Sequence, residues 1–341
     1  MKRTAFLLLT ALLAAALCGC GGTQESRLEL FAMDTYMTVT TEGGAGEETA
    51  QAVSREINRL ESVLSRTIST SSVSRLNTEG RVQPDEDTAA LLAAALTYSD
   101  ETGGAFDITI APLVELWGIT SDAPHVPTQA EIDALLPLVG SQHVHADGST
   151  VTLDQGCAVD LGGIAKGYAS DKAAALLTGS GVMRACANLG GNVYVLSREG
   201  EEPWNVAIQD PQEQDGYVCI LSLTDHFVVT SGGYQRHFTA PDGTDYQHIL
   251  DPKTGYPVQG DLLSVSIVLP RGAELPGTRA DAYSTALYVM GESGAVSFWQ
   301  ARQDFDMVLV TSDGRVVYTP GLSDYFHEAE GSGYVYQLLA A

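Results

Sequence analysis

An α+β fold, a mainly antiparallel sheet core with packed helices, is what this 341-residue sequence predicts. Two observations carry that expectation. Strand-like patterns at residues 193–196, 206–208, 218–223, 227–230 and 263–269 follow one another with few helical patterns between them, whereas a doubly wound parallel sheet needs a helix after nearly every strand. No internal repeat occurs, and no stretch between Gly46 and Tyr336 has the length and composition of an interdomain linker, so one continuous domain is expected.

The elements follow in order. Lys2 and Arg3 precede an apolar run from Ala5 to Leu17 that is too short to span a bilayer and ends in small residues, the pattern of an export signal. Leu17-Cys18-Gly19-Cys20 then matches a lipobox, and Gly19 at the cleavage position makes Cys20 the candidate for lipidation. The expected organisation is therefore a signal peptide at 1–19, a tether at 20–29 and a single domain at 30–341, lipid-anchored on the extracytoplasmic face of a bacterial membrane. Val53, Ile57, Leu60 and Leu64 recur at helical spacing and predict an amphipathic helix beginning near Glu47. The Ser/Thr-rich stretch 65–74 reads as a loop. An Ala- and Leu-rich helix over 87–98 is stopped by Gly103-Gly104. Thr128 with Glu131 forms a capping box that starts a third helix, limited by Pro137. Residues 120–149, with prolines and polar clusters, read as a surface insertion. Beyond a strand at 151–153, helices are predicted over 164–177 and 279–290, and 306–318 is a closing hairpin turned at Ser312-Asp313-Gly314.

Composition narrows the partners. With 18 Lys and Arg against 43 Asp and Glu, the formal net charge is -25, which argues against nucleic acid or an anionic lipid surface as ligand. Any phosphate must be held locally, by a metal or by backbone amides. Cys157, Cys186 and Cys219 are widely spaced in apolar surroundings and read as small core residues, not as a disulfide framework or zinc site.

Three segments carry chemistry. Asp281 and Thr285 lie one helical turn apart on one face, a carboxylate and a hydroxyl that suit a hard cation such as Mg²⁺. Asp160-Leu161-Gly162-Gly163 leads from a strand into a helix, and the paired glycines let backbone groups approach a ligand closely; the spacing is neither that of a Walker loop nor that of a dinucleotide fingerprint. Lys166, in the first turn of that helix, is within reach of a phosphate. His248 precedes the Asp251-Pro252-Lys253-Thr254-Gly255 turn, where an imidazole is placed to take a proton from an attacking hydroxyl. Each segment alone also fits a structural role: a solvated Asp with a Thr bonded to its own helix, a plain glycine turn, a satisfied core histidine.

Taken together, the motifs resemble the FAD:protein FMN transferases, the ApbE-like flavin transferases. Those that carry the resemblance are Met33-Asp34-Thr35-Tyr36, Leu64-Ser65, Ser74-Arg75-Leu76-Asn77, Gly104-Ala105-Phe106-Asp107-Ile108-Thr109, Leu116-Trp117-Gly118, Asp160 through Tyr168, Asn188-Leu189-Gly190-Gly191-Asn192, Thr230-Ser231-Gly232, His248 through Pro257, and Ala280-Asp281-Ala282 through Thr285. The resemblance implies an ApbE-like fold and a flavin pocket involving Met33, Ala105, Phe106, Asp107, Asp160, Lys166 and Ile249. It also implies Thr67 at a position where relatives place an aromatic against the flavin. For Mg²⁺ it implies Asp281, Thr285 and a backbone carbonyl at Gly163, with Ser284 standing where relatives have a carboxylate. The implied reaction transfers FMN from FAD to a Thr or Ser hydroxyl of a target flavoprotein through a phosphoester bond, releasing AMP, with His248 as the group that deprotonates or orients the hydroxyl. Acceptors would be membrane redox subunits or extracytoplasmic flavoproteins. Two other readings stay open: an FAD pyrophosphatase using the same Mg²⁺ site with water as acceptor, and a lipoprotein that binds FAD without chemistry, in which His248 or the metal ligands are idle.

Overall fold

The computed structural model of the protein describes residues 25–213 and 215–340. The export segment and Cys20 lie outside the described residues.

Apart from a small sheet of β3 (Arg81–Val82), β4 (Val144–Asp147) and β5 (Thr150–Leu153) and a hairpin of β11 (His237–Thr239) and β12 (Asp245–Gln247), the described strands form a three-stranded sheet and a nine-stranded sheet, the latter in the order β1 (Glu25–Ala32), β2 (Thr35–Glu42), β6 (Arg184–Asn188), β7 (Asn192–Ser197), β10 (Asp225–Gly232), β13 (Leu262–Pro270), β14 (Asp306–Thr311), β15 (Arg315–Tyr318), β17 (Val335–Leu338). Every pairing in the nine-stranded sheet is antiparallel except the last, where β15 and β17 run parallel. The sheet opens with β1 and β2, so residues 25–29, expected as tether, are the first part of a strand. Ala32 pairs with Thr35, which leaves the two-residue turn Met33-Asp34. Both turn residues have positive φ, 49° and 59°, as a type I′ hairpin requires.

Alternation along these strands separates two cores. Val229, Val265, Ile267, Leu269, Met307 and Leu309 face one side, where they pack with α1 (Gly46–Leu64), α6 (Ala165–Gly179) and α7 (Pro276–Arg302). Val228, Val268, Val308 and Val310 face the other, under a three-stranded sheet in the order β16-β9-β8. Its strands are β8 (Trp204–Gln209), β9 (Tyr217–Leu223) and β16 (Phe326–Glu328). An α+β architecture with a mainly antiparallel core is thus what the chain adopts.

Part of the stretch expected as loop at 65–74 is helical. Ser71 accepts from the Ser74 amide and caps α2 (Ser72–Glu79). The helix expected over 87–98 is α3 (Glu86–Glu101), capped by Asp85. α4 (Ala111–Trp117) follows Asp107, and α5 (Gln129–Leu135) carries the Thr128–Glu131 capping box. Within 120–149, Ile132 is fully buried in a satellite cluster with Leu113, Trp117 and Leu250, so this stretch covers Trp117 as well as presenting surface. The helix expected to end at Met290 breaks there: Gly291, with φ 72° and ψ 177°, is not helical, and a second helical stretch follows it to Arg302. Among the described cysteines none is bonded; Cys157 and Cys219 are buried and Cys186 is half-buried.

Candidate active site

A cleft of about 1430 Å³ opens where the carboxyl ends of several strands meet α6 and α7. Met33, Thr67, Ala105, Phe106, Asp107, Asp160, Gly163, Lys166, His248, Ile249, Asp281 and Thr285 all line it, although the sequence spreads them over more than two hundred positions. Ser284 does not.

The crossing of α6 over α7 sets the deepest part. At Gly167 an added Cβ would lie 2.2 Å from the carbonyl oxygen of Gly277 and 2.7 Å from the Cβ of Asp281, so only glycine lets the helices approach this closely. The Gly167 amide donates to Asp281 Oδ2 at 2.8 Å and fixes the carboxylate. Asp281 is 3% exposed, and its Oδ1 accepts no hydrogen bond from a described residue. Thr285, one turn on, shares a 3.3 Å hydroxyl contact with Ser231 of β10. Ser284 is fully buried behind the lining: its hydroxyl donates to the Asp281 carbonyl at 2.9 Å and meets Ser231 Oγ at 2.8 Å. It braces Ser231 from behind.

The Asp160 to Gly163 loop forms the adjoining wall. Asp160 Oδ1 accepts from the Gly162 amide at 2.8 Å, and its Oδ2 pairs with Arg66 Nε at 2.9 Å. Lys166 Nζ donates to the Gly162 carbonyl at 3.1 Å, folding back over its own loop. Asp107 accepts from the amide and hydroxyl of Thr109 and so stiffens the turn that presents Ala105 and Phe106, both buried. Thr67 is exposed, its hydroxyl 3.0 Å from Ser65 Oγ. Across the cleft the Met33 amide donates to Glu61 at 2.7 Å, while Arg236 forms an ion pair with Asp34 at 2.8 Å. These contacts hold the left-handed hairpin turn at the rim.

His248 is held through Arg236. Its amide donates to the Arg236 carbonyl at 3.0 Å, and its ring Nδ1 lies 3.2 Å from the same oxygen. A carbonyl only accepts, so Nδ1 carries the proton, and Nε2 is left as an acceptor without a partner among the described residues. Burial pushes the imidazole pKa down to about 4, with the neighbouring Arg236 and Lys166 cations contributing, so the ring is neutral at physiological pH.

Among the described residues no cluster of three or more His, Cys, Asp or Glu side chains converges to hold a metal. The donors that do converge are oxygens: the open Oδ1 of Asp281, the hydroxyl of Thr285 and the backbone at Gly163, whose added Cβ would lie 3.6 Å from Thr285 Oγ1. One carboxylate with neutral oxygens, and room left for water and phosphate, fits Mg²⁺ and does not fit zinc.

Arg66 and Arg236, which add positive charge to the cleft, were not legible as site residues, because an isolated arginine in an acidic chain reads as a solvated side chain. Ser231 belongs to one of the motifs of the resemblance, but its bond to Thr285 depends on how β10 packs on α7.

A family model described as ApbE matches residues 33–309, which is most of the chain. The chain belongs to the ApbE family. It is 33% identical to a FAD:protein FMN transferase of Treponema pallidum, with 95% of this chain and 96% of that one aligned. Identity to a FAD:protein FMN transferase of Escherichia coli K12 is 30%, covering 89% and 92%. Its fold superposes on an ApbE protein from Thermotoga maritima with a TM-score of 0.80, at 32% identity over 90% of this chain and 100% of that one. A Pseudomonas stutzeri flavinyl transferase ApbE gives 0.77 at 28% identity, covering 90% and 98%.

Proposed function

We propose that this member of the ApbE family transfers FMN from FAD to a threonine or serine hydroxyl of a target flavoprotein, releasing AMP, in a Mg²⁺-dependent reaction. The observation that carries the reading is the convergence of Asp281, Thr285, Lys166 and His248 on one cleft large enough for a dinucleotide. Asp281, Thr285 and the Gly163 carbonyl would hold the cation. Bound there, it would neutralise pyrophosphate oxygens, the main requirement of phosphoryl transfer.

The chain's own groups do the rest. Lys166 and Arg66 supply local positive charge in a protein that otherwise repels phosphate. Met33, Ala105, Phe106 and Ile249 offer apolar surface for the flavin. The acceptor oxygen attacks the FMN-side phosphorus, the P–O bond to the AMP phosphate breaks, and AMP leaves with that electron pair. The hydroxyl proton passes to His248 Nε2, the ring nitrogen that the Arg236 carbonyl leaves unprotonated.

The export signal and lipobox of the sequence support a lipid-anchored enzyme on the extracytoplasmic face, acting on membrane redox subunits or exported flavoproteins. Incubating the protein with FAD, Mg²⁺ and candidate acceptor domains, followed by mass spectrometry, tests the reaction. A covalent FMN adduct with one AMP per adduct is expected. Free FMN and AMP without adduct would make it a pyrophosphatase, and unchanged FAD would leave only binding.

A further inference from the structure

The cleft has a second arm. Past Asn192 and Thr230 it continues onto the other face of the nine-stranded sheet, where residues 206–210 wall it and Val193 and Val228 line it. None of the groups assigned to phosphate or metal lies in this arm. Its wall is β8, which pairs only with β9 among the described residues and is the end strand of its sheet. Val206 and Ile208 turn into the core while Asn205 and Ala207 are exposed, so this is a regular strand in which the outward N–H and C=O groups of Asn205 and Ala207 are unused by its own sheet. At the mouth, Phe31 and Tyr36 pack edge to face at 5.1 Å yet are 59% and 82% exposed. Paired aromatics this open on a rigid hairpin are the kind of surface that anchors a protein partner.

Transfer requires a polypeptide hydroxyl to reach His248 while FAD occupies the arm beside α6 and α7. A polypeptide entering a groove walled by an open strand edge satisfies its backbone by lying along that edge. We propose that an extended segment of the acceptor protein adds to the edge of β8 at Asn205 and Ala207 as a further strand, packs against Phe31, and so carries its threonine or serine to His248. The inference rests on the transfer reading and names how the acceptor is recognised.

Hydrogen exchange on the full chain with saturating FAD tests it, with an acceptor domain from the assay above whose modified threonine is changed to valine. Amides of residues 205–208 should slow by about 10-fold or more on addition of the domain. Ala207→Pro, which blocks the edge without touching the FAD arm, should raise the acceptor KM about 10-fold or more while FAD affinity and melting temperature stay near wild type. Unchanged exchange at 205–208, or protection confined to β1, would overturn the docking mode even if the variant failed to fold. Absence of any FMN adduct in the first assay would instead overturn the transfer reading.

Discussion

At the scale of single residues, His248 and Asp281 make separable predictions. His248→Ala removes a group used only as the transition state forms, so single-turnover transfer should fall by about 10²-fold or more with FAD affinity little changed. An unchanged rate per folded molecule would reduce His248 to a packing residue. Its lowered pKa adds a stability signature. Folded His248 titrates near 4 and the unfolded residue near 6.5, so between those values the unfolded chain binds more protons and stability is lost as pH falls. His248→Ala should therefore show a smaller drop in melting temperature between pH 7 and pH 4 than the wild type. Asp281→Ala deletes the single carboxylate of the oxygen cluster. It should abolish transfer at millimolar Mg²⁺ and leave the fold intact; full activity would remove the metal assignment.

At the scale of elements, the α6–α7 crossing is the vulnerable joint. Gly167→Ala would force a methyl onto the Gly277 carbonyl and the Asp281 side chain, and overpacking of this kind costs about 1–3 kcal/mol or more. A melting temperature and transfer rate that both match wild type would show that the helices separate freely. This scale also shows what the sequence made legible. Long amphipathic or strongly apolar segments such as α1, α3, β10 and β13 were readable because periodicity alone specifies them. β1 and β2 were not, because ESRLELFA mixes charge with apolar residues and the turn uses Met33-Asp34 where Asn-Gly or Asp-Gly would have signalled a hairpin. β6 and α4 are short, five and seven residues, and gain their order from neighbours. At the site, Asp281, Thr285, Lys166 and His248 could be picked by residue type. Arg66, Arg236 and the bracing role of Ser284 needed the tertiary arrangement.

At the scale of the whole molecule, the first described strand starts at Glu25, so a chain starting at Thr23 keeps the whole described sheet and should melt and transfer FMN in solution like the full protein. One starting at Met33 loses β1 with Phe31 and should unfold at lower temperature and transfer poorly. In cells, the proposed anchor predicts that Cys20→Ser carries no lipid and leaves the membrane fraction or stays uncleaved, since a serine hydroxyl does not replace the lipobox thiol. Membrane fractionation with lipid labelling checks this, and a labelled, membrane-bound variant would move the modification to Cys18.

The β17 end of the nine-stranded sheet has a colloidal consequence. β17 is an outermost strand carrying Val335 and Leu338, 64% and 50% exposed, an apolar edge that another copy of the chain is able to extend. At neutral pH an excess of 25 negative charges keeps copies apart. As acid neutralises the 43 carboxylates that repulsion fades before the fold need be lost, so turbidity should rise with falling pH while the protein is still native. Light scattering recorded beside circular dichroism in an acid titration would separate the two events, and lysines at 335 and 338 should suppress the first without moving the second.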